Sequence, residues 1–473
     1  MSQRPHNGTV FGRRAFLAGS AATAAVTALP GTALGAERTN SVTLTAAKAR
    51  VPIVGPPHPM TDVWCYNGTS PGPVLRARQG SRLKVVVRNR LTEPTTVHWH
   101  GLRVPNNMDG VPYVTQPPIV PGQDFTYDFA LPDAGTYWYH PHVNGSEQVG
   151  RGLAGALIVE ELSPPRVDRD VLWVLDDWRL TRRAAIAGNF GHPRDLSHAG
   201  RLGNTATING RVPTRFTIRA GERIRLRLVN VANARTFGLK FEGHAPKIVA
   251  LDGQPVSPHE PPGGMIVLAA AQRADVILDA TGEPGTRIRV LDAYYRRSAY
   301  KLVELDYAKT RLRPAVPDWP FDLRANPLAA PDLKSAQRHE ILLEGGAMGG
   351  RITARGAQPM PRGAMWAING SAMMETAKSW KPLLTLKHGT SHVFRLNNRT
   401  VFDHPMHLHG HSFRVIARNE RPTNLREWRD TVLVRPRETV DIVFVADNPG
   451  DWMFHCHILE HMAAGMMAVI HVG

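Results

Sequence analysis

Apolar and charged residues alternate with a period of two in three segments that share one frame, Gly80–Asn89 (GSRLKVVVRN), Gly221–Asn230 (GERIRLRLVN) and Gly389–Asn398 (GTSHVFRLNN). In each, the Asn follows the Gly by nine positions. Leu83, Val85 and Val87, or Ile224, Leu226 and Leu228, set against Lys and Arg, form the pattern of a half-buried strand. The copies start 141 and 168 residues apart, which predicts three homologous β domains. A chain of 473 residues at roughly 150 per domain fits the same number. Unperiodic Gly (42) and Pro (38) favour a turn-rich, all-β fold over a helical or collagen-like one.

Charge and cysteine narrow the function classes. The net charge is +17, but the arginines are scattered through strand-like segments, which reads as a solubilising surface and not as a nucleic-acid site. Two cysteines exclude a disulfide framework. At the start of the chain, Arg13-Arg14-Ala15-Phe16-Leu17, an Ala/Thr-rich stretch to Leu29 and the small residues Ala33-Leu34-Gly35-Ala36 resemble a twin-arginine signal peptide over residues 1–36. That implies the twin-arginine export machinery as a partner and a periplasmic or secreted location in a bacterium. Loss of Arg4, Arg13 and Arg14 lowers the charge from +17 to +14. No segment reaches the length of a spanning helix.

The three repeats diverge downstream of the shared frame. Eighteen residues after Gly80 stands His98-Trp99-His100-Gly101, and eighteen after Gly389 stands His407-Leu408-His409-Gly410, whereas the same offset from Gly221 reaches Leu239-Lys240-Phe241-Glu242. Likewise Gly135 leads to His140-Pro141-His142 and Gly450 to His455-Cys456-His457, while Gly285 leads only to Val290-Leu291-Asp292. The first and third domains therefore carry matched ligand pairs, and the middle one reads as a spacer. Windows 98–100, 140–142, 404–409 and 455–461 total 19 residues and hold 10 of the 21 histidines. In a strand, side chains two apart share a face, so each His-x-His sends two imidazoles into one space. Imidazole suits zinc, copper, iron and nickel alike.

Cys456 narrows the choice of metal. It lies between two cluster histidines, so its thiolate faces away from them, toward His461 and His404. A His2Cys set with a long axial Met is the blue-copper arrangement, and Met466 is placed to be that Met. Structural zinc is the alternative, but zinc has no redox chemistry, and a thiolate wired to the histidines of a second site would then serve no purpose.

The segments HWHG, HPH, HPMHLHG and HCHILEHMAAGM resemble, in order, the four copper-binding motifs of the multicopper oxidases, a family of laccase-like and cuprous-oxidase-like enzymes. The resemblance runs from about residue 40 to 473 and includes Trp64-Cys65-Tyr66-Asn67-Gly68, Pro71-Gly72-Pro73 and Ala446-Asp447-Asn448-Pro449-Gly450. It implies three cupredoxin-like Greek-key sandwich or barrel domains in tandem, 37–165, 166–310 and 339–473, with a linker at 311–338. It implies four coppers. One is a blue copper on His404, Cys456 and His461 with Met466 axial. A type 2 copper would sit on His98 and His407, and a coupled pair on His100, His140 and His457 and on His142, His409 and His455. The implied reaction couples four one-electron oxidations of a phenol, aromatic amine or metal ion near His461 to reduction of O2 to water, with electrons passing through Cys456 to His455 and His457. Asp109 matches an acid beside the cluster in the family, or else Asp109-Gly110 is a turn. Met462 stands where several bacterial relatives carry Glu, so the second proton donor is unassigned; Glu460 reads as structural.

Other residues have plainer readings. Met348, Met360, Met365, Met373 and Met374 lie where cuprous oxidases carry a methionine-rich insertion; they read either as a soft Cu(I) site or as core filling. His244, His388, His392, His411 and His471 match no ligand position. Cys65 reads as a buried free thiol, and Trp428-Arg429-Asp430 as a border of the substrate cleft. A non-catalytic cupredoxin-like protein is disfavoured because every ligand position is filled. A two-domain nitrite reductase is disfavoured because Pro141 stands where its blue-site Cys would be. The remaining choice is between a laccase-like oxidase, preferred, and a periplasmic cuprous oxidase.

Overall fold

The computed structural model describes residues 39–348, 350–352 and 360–473; the signal-peptide reading of 1–36 lies outside them. The described residues form three successive two-sheet β-sandwiches with few and short helices. In each, the predicted repeat strand is central to one sheet. Arg82–Asn89, Arg223–Asn230 and Ser391–Asn398 each pair in parallel with the domain's first strand (Thr39–Val51, Arg169–Trp178, Gln337–Gly345) and antiparallel with a later one (Asp124–Ala130, Arg273–Asp279, Thr439–Val445).

The two ends of the repeat have physical causes. Gly80, Gly221 and Gly389 all adopt φ near +80°, in the left-handed region, where a Cβ would strain the turn into the strand. The closing Asn is a loop clamp. Asn89, Asn230 and Asn398 accept through Oδ1 from the backbone N–H two residues on, at 2.9–3.0 Å. Their Nδ2 groups donate to the carbonyls of Glu93 and Ile119, of Arg235 and Leu268, and of Phe402 and Val434. Each Asn thus pins two loops where the strand leaves its sheet.

The alternation holds in the first domain, where Leu83, Val85 and Val87 are buried and Lys84 and Arg88 exposed. It fails in the middle one. Arg223, Arg225 and Arg227 are buried with the rest of their strand, so these arginines are not the solubilising surface expected of them. Arg225 and Arg227 converge on Asp275 at 2.7 and 3.2 Å; Arg225 also binds Glu161, and Arg227 grips Asp170 and Thr136. Thr136 and Glu161 belong to the first domain's segment, so this ionic layer joins two sandwiches. Beside it Trp138, Ala154 and Ala156 pack on Val174, Val229 and Ala271. The first and third sandwiches meet through Val111 and Val149 against Met453, Leu459, Met462 and Met467. Between Tyr307 and Gln337 the chain has no strand but is tied down: the Asn326 side chain bonds Gln79, Ala134 and Gln254.

Candidate metal centre

Four strands of the first and third sandwiches bring the predicted histidines together. His98–His100 pairs with Gly135–His140 so that His98 faces His140, and His404–Leu408 pairs with Gly450–Cys456 so that His407 faces His455. Strand alternation sends Trp99 into the first domain's core and Leu408 and Cys456 into the third's. The eight imidazoles between them are buried and interleave across the domain boundary. His98 stacks on His409 with ring centroids 3.8 Å apart, and His100 on His407 at 3.7 Å.

The hydrogen bonds around these rings commit one nitrogen of most of them and leave the other bare. Nδ1 of His98, His140, His407 and His455 donates to a backbone carbonyl, and Nδ1 of His409 donates to Asp109 Oδ2. For His100 the committed atom is Nε2, on Asp430 and Thr431. His98 Nε2, His100 Nδ1, His142 Nε2 and His407 Nε2 then have no partner although buried. Burial pushes the imidazoles of His100, His140, His142, His407, His409, His455 and His457 below the ordinary histidine range, neighbouring imidazoles adding to it. They are neutral, with lone pairs aimed at one another, which is the condition for binding a cation. His142, His409 and His455 form one group able to hold an ion, His98, His407 and His409 another, and His98, His100 and His140 a third. His457 Nε2 lies 3.4 Å from His140 Nε2.

A fourth group, His404, Cys456 and His461, sits in the third domain's core. Cys456 Sγ is 3.5 Å from His404 Nδ1 and 3.6 Å from His461 Nδ1. Burial pushes the Cys456 thiol up, so its thiolate calls for a cation beside it. Met466 is fully buried in the same core, its carbonyl accepting from Cys456 N–H at 3.0 Å. His461 has no exposed surface. Its Nε2–H donates to the carbonyl of His198 in the middle sandwich, and Trp366 covers its ring at 4.2 Å.

Two carboxylates wall the histidine cluster. Asp109, fully buried, reaches His409 at 2.8 Å and His98 at 3.2 Å, so it is more than a turn residue. Asp430 is a correction. It does not border a substrate cleft but lies buried against His100 and His407, paired with Arg273 of the middle sandwich at 2.6 Å. Burial alone would raise the Asp430 carboxyl, but Arg273 holds it well below the usual range. The middle sandwich is therefore not only a spacer: it supplies Arg273 to one site and the His198 carbonyl to the other. Neither contact has a local signal, since the partners are 157 and 263 residues apart.

Multicopper oxidase family models match residues 50–164, 169–293 and 357–473. The chain is 33% identical to the multicopper oxidase MmcO of Mycobacterium tuberculosis over 91% of its own length and 86% of that protein's. It belongs to the multicopper oxidase family. A multi-copper oxidase structure from Pseudomonas thermotolerans is 36% identical, with a TM-score of 0.83 over 93% of this chain and 100% of that one. One from Campylobacter jejuni, described as a metallo-oxidase, is 28% identical, with a TM-score of 0.77 over 93% of each chain. As a multicopper oxidase the protein is a copper enzyme that takes dioxygen and a reducing substrate, and the bare, inward-facing imidazole nitrogens fit that metal.

The remaining candidate residues of this multicopper oxidase have separate surroundings, although Met365 and Met373 both bond through their backbone N–H to the adjacent residues Ala464 and Gly465. Met348 is 74% exposed, Met365 packs on the third domain's core, and Met373 lies in the seam with Met453, Met462 and Met467. Glu460 is structural as expected: it accepts from Asn233 and from Arg201 N–H of the middle sandwich. Cys65 is a buried free thiol. His411 is buried on the His409 carbonyl, while His244 pairs with Tyr307 and His471 with Asp451. Among the described residues no helix is long and apolar enough to cross a membrane.

Proposed function

We propose that this multicopper oxidase holds four coppers and is laccase-like, oxidising small one-electron donors such as phenols and aromatic amines while reducing dioxygen to water. His404, Cys456, His461 and Met466 would hold the blue copper. His98 and His407 would hold the type 2 ion, His100, His140 and His457 one ion of the coupled pair, and His142, His409 and His455 the other. When bound, four coppers store the four electrons that one dioxygen needs, because each donor molecule gives only one.

The protein's own contribution is position and insulation. The observation that carries the reading is Cys456: its side chain lies in the His404–His461 group while its chain neighbours His455 and His457 lie in the imidazole cluster. One strand thus joins the two sites by covalent bonds. Buried walls keep bulk water from the cluster, and Asp109 both orients His409 and offers a carboxylate for proton movement at its edge. At the other end, the His461 Nε2–H to His198 carbonyl bond points toward the middle sandwich, and donors would deliver electrons across this side.

Organic donors are preferred over Cu(I) because Met348 faces solvent while Met365 and Met373 pack in two different apolar clusters. A metal-ion donor is the second reading, favoured by the likeness to the Campylobacter metallo-oxidase. Location outside the cytoplasm, after export by the twin-arginine route, is part of the proposal and rests on the sequence of residues 1–36. The deciding experiment compares kcat/KM for a phenol and for Cu(I) on copper-loaded protein with oxygen uptake as readout. Efficient turnover of Cu(I) alone would transfer the preference to the metallo-oxidase reading.

A further inference from the structure

We propose that Arg273, in the domain without copper ligands, is the positioning residue that keeps the type 2 copper in place, acting through Asp430; this rests on the ligand assignment above. Three sandwiches meet at this point. Arg273 is wholly buried, and its two terminal nitrogens donate to the two oxygens of Asp430 at 2.8 and 2.6 Å. Its Nε donates to the Thr136 carbonyl, and its backbone N–H to Asp252 Oδ1 at 2.9 Å. The guanidinium is therefore aimed from behind and delivers the planar two-point grip that a lysine cannot reproduce.

Asp430 passes this fixation on to two rings at once. Oδ1 meets His100 Nε2 at 3.1 Å, lies 3.5 Å from His407 Nδ1 and accepts at 2.8 Å from Thr431 Oγ1, itself 3.1 Å from His407 Nδ1, while the Asp430 carbonyl meets His407 Nδ1 at 2.8 Å. One residue thereby sets which nitrogen of His100 and of His407 is left bare for metal. The middle sandwich adds a second tie, Gln272 Nε2 to the Thr431 carbonyl at 2.9 Å. Gly101 shows how closely the joint is built: a Cβ there would lie 2.3 Å from Arg273 Nη2 and 2.5 Å from Asp430 Oδ2.

The type 2 ion depends most on this joint because it has only two imidazoles, His98 and His407. An error in the aim of one of two ligands removes a larger share of its binding than an error in one of three. Groups that hold metal ligands from behind commonly change metal affinity 10- to 100-fold when altered, and the same range is expected here.

The test uses Arg273→Gln, Arg273→Lys, Asp430→Asn and the Arg273→Gln/Asp430→Asn pair in the full chain. Copper per chain, the type 2 electron paramagnetic resonance signal and the blue absorption band are measured, and copper retention is titrated with a chelator. Arg273→Gln should keep the blue band, fall from four coppers toward three, and lose or shift the type 2 signal. Arg273→Lys should release that copper to chelator at an intermediate concentration. The double variant should lose no more than Asp430→Asn alone. Parental copper content and type 2 signal in Arg273→Gln, or additive losses in the double variant, would overturn the proposal. If Arg273→Gln does not fold, Arg273→Lys decides, and parental retention there overturns it. A parent protein without a type 2 signal would instead sink the ligand assignment, which keeps the two failures apart.

Discussion

The Nε2 atoms of His409 and His455 lie 3.0 Å apart, while the Nδ1 of each already donates, to Asp109 and to the Cys456 carbonyl. Two bare lone pairs at that distance repel unless a cation stands between them. Metal removal should therefore destabilise the fold, and by an amount that depends on pH. Burial lowers these imidazoles in the metal-free fold, so the unfolded chain binds protons that the folded chain refuses. The stability they contribute is complete above about pH 6.5, the ordinary histidine value, and is lost as pH falls below it. The melting temperature of copper-stripped protein should drop steeply from pH 7 to pH 5. An unchanged melting temperature over that range would contradict the lone-pair arrangement.

Cys456→Ser should abolish the blue colour and turnover while the fold and most copper at the imidazole cluster remain. Visible absorption, copper analysis and oxygen uptake on one preparation check this. Wild-type oxygen consumption by the serine variant would disprove the route through Cys456.

Replacing Met360, Met365, Met373 and Met374 by Leu should leave kcat/KM for phenols and for Cu(I) within about twofold of the parent. The swap preserves volume, so packing loss should stay below about 1.5 kcal/mol per site. A selective rise in KM for Cu(I) would identify a thioether site and favour the metallo-oxidase reading.

Asn230→Ala should destabilise by about 2 kcal/mol or more. It strips partners from the Ala232 N–H and from the carbonyls of Arg235 and Leu268, and Ala fills none of those roles. Urea unfolding followed by a probe in the middle sandwich reports it. Blue absorption measured before denaturant is added should be unchanged.

Burial, with a smaller push from the nearby Glu460, raises the Glu375 carboxyl to about 7, although its Oε1 accepts from the Gly145 N–H, which lowers it. An acid raised on folding contributes stability below its unfolded value, near pH 4.5, and loses it as pH rises through about 7. Glu375→Gln should therefore be more stable than the parent at pH 8, with the advantage gone at pH 4. Melting curves at the two pH values distinguish this from a uniform effect.

Much of this molecule was legible in the sequence because its information is local. The Gly-to-Asn frame marks each central strand, since the left-handed turn and the Asn clamp are set within a few residues. The His-x-His pairs and Cys456 are readable from the two-residue period alone. What was illegible is set by domain contact. Arg225 and Arg227 look like solvent-facing residues of an alternating strand, and only the neighbouring sandwich makes them interior. Asp430 sits in a stretch that suggests a cleft, yet its partners are His100 and Arg273 from two other domains. His461 is expected near the donor, but the covering His198 carbonyl comes from a segment with no distinctive composition.

The pairing of Met406 with Cys456 and of His407 with His455 has a consequence for how this protein errs. A shift of one residue between those strands would do more than bring polar groups into an apolar core. It would put a thiolate among the imidazoles and an imidazole where the thiolate belongs, and neither place would then accept its ion. Under the proposed ligand assignment, metal loading would then report on backbone alignment, and a misregistered chain would stay colourless.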